Sequence, residues 1–195
     1  MSDIASAIRP SVVMTLGFTL LCGIAYPLAV TGVGQAVMPH QANGSLIVDA
    51  SGKTVGSELI GQGFAKPGYF HPRPSAAGKG YDASASSGSN LSPGSKDLHD
   101  RIATDVAAAH KDGIATVPAD MVTTSASGLD PDISPANALA QAARIAGARG
   151  VPVAQVQDLV AKSRKGALIR FIGEPRVNVL ELNRQLDMMS ATAAK

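Results

Sequence analysis

Hydrophobic and polar positions divide this chain abruptly. Residues 12–37 read VVMTLGFTLLCGIAYPLAVTGVGQAV and hold no Asp, Glu, Lys, Arg or His. Their most apolar part, residues 12–33, would span about 33 Å as a helix at 1.5 Å per residue, enough for a hydrocarbon core of roughly 30 Å. With no water available, such a segment must satisfy its backbone internally, so a membrane-spanning helix is expected. Pro27 predicts a kink in it, with Tyr26 beside it placed to meet a partner.

After the run the pattern becomes mixed and periodic. Residues 46–48, Leu-Ile-Val, followed by Asp49-Ala50-Ser51-Gly52-Lys53, read as a short strand and turn, and residues 54–64 as a returning strand. Residues 66–93 are loop-like, with four prolines and a small polar string at 84–90. Their aromatics, Tyr69, Phe70 and Tyr81, favour an ordered loop over a linker. Ser95 is placed to cap a helix in which Leu98, Ile102 and Val106 form an apolar stripe at spacing four, and Gly113 ends it. Residues 117–124 are short and β-prone but interrupted by Pro118.

Ser134 followed by Pro135 is a strong helix start. The alanine-rich helix it opens runs over 136–149 and closes at Gly150. Pro152 starts another, with Val156, Leu159 and Val160 on its buried side. Residues 167–172 read as a strand and 177–189 as a final helix. Strands and helices intermix, so a single mixed α/β (α+β) domain is expected after the helix. The organisation expected is a short cytoplasmic N-terminus over residues 1–11, the transmembrane helix and its exit over 12–37, and an extracytoplasmic domain over 38–195.

Charge sets the orientation. Arg9 and the terminal amine precede the apolar run, and no Lys or Arg follows it until Lys53. This bias places the N-terminus in the cytoplasm and the large C-terminal part outside. The rival reading, a cleaved export signal, fits less well: Asp3 and Arg9 cancel and the run is too long, although Gly34-Gln35-Ala36 offers a possible cutting point. Cleavage there would release a secreted binding protein.

The chain carries 17 basic and 15 acidic residues, a balance that argues against nucleic-acid binding. Residues 40–132 hold 7 basic and 10 acidic side chains and residues 133–195 hold 9 and 4, so the two halves could pair internally or present two faces. Scattered solvated charge is the preferred reading. Cys22 is the one cysteine, which leaves no intrachain disulfide and no zinc site.

Chemistry is sparse. His40, His71, His99 and His110 have no metal-ligand spacing and read as solvent or helix-surface histidines. Asp130-Pro131-Asp132 lacks the further oxygens of a calcium loop and reads as a turn and helix cap. Glu174-Pro175-Arg176 with Asn178 reads as an ion pair and a helix entry rather than a catalytic group. In the serine-rich stretch 84–95, Ser87, Gly88, Ser89 and Asn90 could form a backbone nest for phosphate, but no GxxxxGK[ST] pattern exists. A nucleophilic serine there would need a partner base, and none is visible. An extracytoplasmic serine hydrolase anchored by the helix remains the alternative from another class.

Five strings in order carry a resemblance. They are Gly68-Tyr69-Phe70-His71-Pro72-Arg73-Pro74-Ser75; Ser87-Gly88-Ser89-Asn90-Leu91; residues 120–131 with Ile133-Ser134-Pro135; Gln141 with Arg144-Ile145-Ala146; and residues 173–180 with Leu182-Asn183. Together, over about residues 10–187, they resemble the KdpC family, the C subunits of bacterial high-affinity potassium-transporting P-type ATPases. Ser87 and Ser92 depart from glycines common in that family, and His71 from a bulkier aromatic.

The resemblance implies partners: a potassium-channel-like subunit and an ATP-hydrolysing P-type subunit, in the bacterial inner membrane. It implies an accessory, non-catalytic role with the outer domain over the channel-like subunit. Potassium and ATP then belong to the complex, with no cofactor assigned to this chain directly. It also implies a catalytic-chaperone effect that raises the ATP affinity of the hydrolysing subunit. The topology expected leaves about ten residues on the ATP side, so the effect is expected to be allosteric. Gly17, Gly23 and Gly32 would let a partner helix approach closely.

Overall fold

The computed structural model describes residues 2–49, 51–166 and 172–193, with side chains described over 6–189 within them. The chain forms two compact units, Met1–Leu46 and Ile47–Lys195.

The first unit is built on the apolar run. Helix α1 (Ser2–Leu20) passes through a π-helical turn (Leu21–Ala25) into α2 (Tyr26–Val37). Pro27 explains the turn. A proline inside a helix has no N–H and its ring presses on the carbonyl four residues back. The wider turn absorbs that conflict, and the Tyr26 N–H reaches back five residues to the Leu21 carbonyl. The kink expected from Pro27 is thus met by a single π turn in a continuous helix. Residues Ser6–Val37 are long and apolar enough to cross a membrane. A short helix, α3 (Pro39–Ala42), follows, and the chain leaves it through Gly44 at φ +86°.

The second unit opens within the strand β1 (Leu46–Val48), which pairs with β2 (Thr54–Ser57). Asp49 organises the turn between them by accepting from the Ser51 and Lys53 N–H groups at 2.8 and 3.0 Å. The returning strand expected to reach residue 64 stops at Ser57. There the Ser57 hydroxyl accepts from the Leu59 N–H and the Ser57 carbonyl accepts from the Ile60 N–H, which turns the chain away.

Helix α4 (Lys96–Lys111) starts at Ser95, whose hydroxyl accepts from the Leu98 N–H, and ends before Gly113 at φ +81°. The segment expected to be β-prone instead holds a 3-10 turn, Ala119–Met121. The turn aims Asp120 at the start of α5 (Pro135–Arg149), where it accepts from the Ser134 N–H, the Ser134 hydroxyl and Asn137 Nδ2 at 2.8–3.0 Å. Ser134 caps α5, and Gly150 closes it in the left-handed region at φ +66°.

Next come α6 (Val153–Ser163) and α7 (Val179–Ala193). The final helix expected from Val177 begins two residues later, because Val177–Asn178 forms β4 against β3 (Asp132–Ile133). The pair is antiparallel, with Ile133 opposite Val177, both buried. Asn178 then caps α7 by accepting from the Glu181 N–H at 3.0 Å. Of the strand expected over 167–172, residues 167–171 lie outside the described residues.

The core is formed by α5, α6, α7 and the β3–β4 pair. It holds Ile145, Val156, Leu159, Val160, Leu182 and Leu186, together with Phe70 from the long loop. Among the described residues, the strands form two small two-stranded sheets beside a larger helical layer, a helix-dominated version of the mixed domain expected.

Candidate functional site

The loop around Phe70 is where the domain concentrates its polar chemistry. Irregular backbone entering a core must find hydrogen-bond partners away from water. Two helices supply them. Asn183 on α7 accepts from the Phe70 N–H at 2.8 Å and donates to the Phe70 carbonyl at 3.0 Å. Gln141 on α5 does the same for His71, at 2.8 and 3.0 Å. Each side-chain amide therefore mimics a neighbouring strand. Gln141 Nε2 also donates to Asn137 Oδ1 at 2.7 Å, which joins this clamp to Asp120.

Two arginines extend the grip. Arg144 donates to the carbonyls of Pro67 and Tyr69 and to Gln141 Oε1. Arg149 donates to the Gly68 carbonyl at 2.6 Å and stacks 4.7 Å from the Tyr69 ring centre. Asp187 on α7 receives both Arg149 and the Tyr69 hydroxyl. The long loop is thus pinned by α5 and α7 from residue 67 to 71.

Next to the clamp lies a cleft of about 230 Å³ lined by His71, Asp105, Asp112, Asn137, Gln141 and Arg144, among others. Arg144 Nε is buried with no hydrogen-bond partner, and faces the Asp112 carboxylate at 3.5 Å. Burial, and then the Arg144 charge, hold His71 below the usual histidine range, while its contact with the Lys66 carbonyl at 3.1 Å works the other way. His71 is therefore a half-buried loop residue and not the solvent or helix-surface histidine expected.

A second cleft, of about 380 Å³, lies among Arg73, Asp120, Asp130, Asp132, Glu174 and Arg176. Its charges are largely paired. Arg73 binds Asp130, and Arg176 binds Asp132 at 3.0 Å. Burial raises the Asp132 carboxyl above the usual range, against the pull of Arg176. Burial also pushes the Tyr81 phenol up, and its hydroxyl donates to the Arg73 carbonyl at 2.8 Å. The aspartates of the Asp130-Pro131-Asp132 turn are thus held in ion pairs, and Glu174-Pro175-Arg176 supplies one partner. Among the described residues, no group of three or more His, Cys, Asp or Glu could hold a metal ion.

The serine-rich stretch is placed differently. Ser87, Ser89 and Asn90 are exposed and Gly88 is half-buried. The Ser87 N–H donates to the Ala126 carbonyl at 3.0 Å, so it is not turned to a phosphate, and Asn90 takes a left-handed backbone at φ +51°. The hydroxyls of Ser84, Ser86 and Ser87 donate to Asp82, the Ser127 carbonyl and the Gly88 carbonyl. The first of these acceptors is a carboxylate and the other two are backbone carbonyls, and none of the three is a histidine. Close by, Gly128 at φ +70° packs so tightly that a Cβ would lie 2.6 Å from the Asp82 carbonyl oxygen.

In the helical unit, a Cβ added at Gly17, Gly23 or Gly32 would meet nothing within 4 Å. The packing of this chain does not require glycine there. Sequence reasoning singled out the strings containing Asn183 and Gln141 but not the roles of these two residues. A signal was present: each places an amide on the apolar face of its helix, Gln141 among Ala138, Ala142 and Ile145, and Asn183 beside Leu182 and Leu186.

Comparison with known proteins follows the same strings. A family model described as KdpC, K+-transporting ATPase, c chain, matches residues 8–188. The potassium-transporting ATPase KdpC subunit of Caulobacter vibrioides is 64% identical over 184 residues, 93% of each chain. The corresponding subunit of Beijerinckia indica is 54% identical over 183 residues, 92% of each. That of Myxococcus xanthus is 52% identical over 189 residues, 95% of this chain and 88% of the relative. The chain belongs to this family.

Proposed function

We propose that this KdpC-family chain is a non-catalytic accessory subunit of an ATP-driven potassium uptake pump, which it stabilises and whose ATP affinity it raises. The observation that carries the reading is the family match over residues 8–188, which takes in the apolar helix as well as the domain. Its partners are a potassium-channel-like subunit and a P-type ATPase subunit. Residues 12–37 cross the bacterial inner membrane once, with residues 1–11 in the cytoplasm and 38–195 outside, over the potassium entrance. Gly17, Gly23 and Gly32 receive a helix of the channel-like subunit. On this reading Gly23→Leu weakens co-purification of the assembly, and an unchanged complex would remove the packing assignment.

The effect on ATP is indirect. ATP lies on the cytoplasmic side and residues 38–195 lie outside, so Ser87, Gly88, Ser89 and Asn90 are not a nucleotide site. The chain instead binds the pump conformations unequally and shifts their balance. A tenfold gain in ATP affinity asks for only about 1.4 kcal/mol of such difference. A serine hydrolase is disfavoured, because the hydroxyls of Ser84, Ser86 and Ser87 donate to local acceptors instead of engaging a histidine.

The test is potassium-stimulated ATPase activity of the purified assembly across an ATP titration, with and without this chain. A raised apparent ATP constant or lost activity in its absence is expected. Unchanged kinetics, with the other subunits present, would overturn the reading.

A further inference from the structure

Pro27 leaves a hydrogen-bond deficit that the helix around it does not make good. In an α-helix the Cys22 carbonyl would accept from the Tyr26 N–H, and in a π-helix from the N–H of residue 27. The Tyr26 N–H goes to the Leu21 carbonyl instead, and proline at 27 has no N–H. Both backbone donors are therefore lost to Cys22. A short hydroxyl side chain four residues on can stand in, as the Ser11 hydroxyl does for the Ala7 carbonyl. Three and four residues beyond Cys22 the chain has Ala25 and Tyr26. Alanine has no donor, and Tyr26 is 65% exposed with its hydroxyl at the far end of a rigid ring.

Depth decides what this carbonyl can meet. Cys22 lies at the centre of residues 12–33, with about 15 Å of apolar helix on either side. In a membrane span that level is the middle of the hydrocarbon, where neither water nor lipid tails offer a donor and an unpaired carbonyl is costly. The donor must then come from protein. Access is open: a hollow lined by Thr15, Phe18, Thr19, Cys22 and Gly23 indents this stretch of helix. Gly23 has no side chain to hold a neighbour off, and it is flanked by the residue that needs one.

We infer that a helix of the channel-like subunit places a hydroxyl or amide side chain against Cys22 and donates to its carbonyl at the bilayer midplane. The inference rests on the proposed accessory role and on residues 12–37 spanning the membrane. It adds the chemistry of the contact, where Gly23 by itself provides only room.

Cys22 is the one cysteine, so cysteine carrying carbon-13 at its carbonyl labels a single peptide group of interest. The labelled full chain is compared in dilute lipid vesicles and after assembly with unlabelled partner subunits. Isotope-edited infrared spectroscopy reads the labelled amide I band, whose frequency falls when the carbonyl accepts a hydrogen bond. Pro27→Ala restores the missing N–H and should give the low, bonded frequency in both settings. The unaltered chain should give a higher frequency in vesicles and move down to that of Pro27→Ala in the assembly.

A band that stays high in an intact assembly would overturn the contact and leave the accessory reading standing. A low band already present in vesicles would overturn it too, through water entry if it persists on dilution and through a second copy of this chain if it does not. A high band in Pro27→Ala would show that proline is not the source of the deficit. Failure to co-purify with the other subunits would remove the accessory reading, and this contact with it.

Discussion

Two stretches of the same irregular segment, residues 66–81 and 84–93, are held in opposite ways. Both contain glycine, proline and serine, only the first carries aromatic and charged side chains, and each includes a string that carries the family resemblance. The first buries Phe70 completely and has its backbone paired at Phe70 and His71 by Asn183 and Gln141. The second is mostly exposed and is tied by contacts such as Ser87 N–H to the Ala126 carbonyl and the Ser86 hydroxyl to the Ser127 carbonyl. Glycine and proline content does not decide how a loop is held. What decides it is whether distant side chains satisfy the backbone once an aromatic has carried it into the core.

The sharpest way to break the contrast is to empty the core position. Phe70→Ala should cost about 4 kcal/mol, within the range for large aromatic truncations in cores, read as a lowered urea midpoint of the full chain in detergent. A loss as small as that of a surface substitution would mean that the loop is not anchored by Phe70. Asn183→Leu comes next. It keeps the apolar packing but leaves the Phe70 N–H and carbonyl unpaired, which should cost about 3 kcal/mol. Equal stability would show that the amide clamp is dispensable.

A smaller effect follows from His71. Its folded pKa lies below the ordinary 6.5, because burial and Arg144 disfavour the charged ring. The unfolded chain therefore takes up a proton first as the pH falls through 6.5. Stability is unaffected by this group above that value, declines below it, and stops declining once the folded state is protonated too. His71→Gln should flatten that part of the pH profile, measured as urea midpoints from about pH 7.5 down to about pH 5. An unaltered slope would remove His71 from the account. Smallest of all, Ser87→Ala and Ser89→Ala should each change stability by no more than about 0.5 kcal/mol.

Local signals in the sequence carried much of the fold. Ser95, the Ser134-Pro135 start, the Gly150 stop and the Val156–Leu159–Val160 stripe all act within a turn or two of themselves, and all are found as read. The clamp was not legible, because Phe70 and Asn183 lie 113 residues apart and His71 and Gln141 lie 70 apart. Separation in sequence also hid β4, since Val177 and Asn178 become a strand only by meeting Ile133 and Asp132. The β-prone run at 117–124 was misleading for a related reason: Asp120 is drawn to the start of α5, and a 3-10 turn delivers it there. Of the candidate site, the motif strings were visible and their work was not. Residues of those strings such as Phe70, Gln141, Arg144 and Asn183 hold the domain together, whereas Ser87, Ser89 and Asn90 lie exposed.

The most direct test of that division is to rebuild the assembly with Ser87→Ala, Ser89→Ala and Asn90→Gly combined in this chain and measure its apparent ATP constant. An indirect effect on ATP predicts a value within about twofold of the unaltered assembly, a difference under roughly 0.5 kcal/mol. A rise of about tenfold, with the complex still intact, would contradict it and place nucleotide contact in the serine-rich stretch.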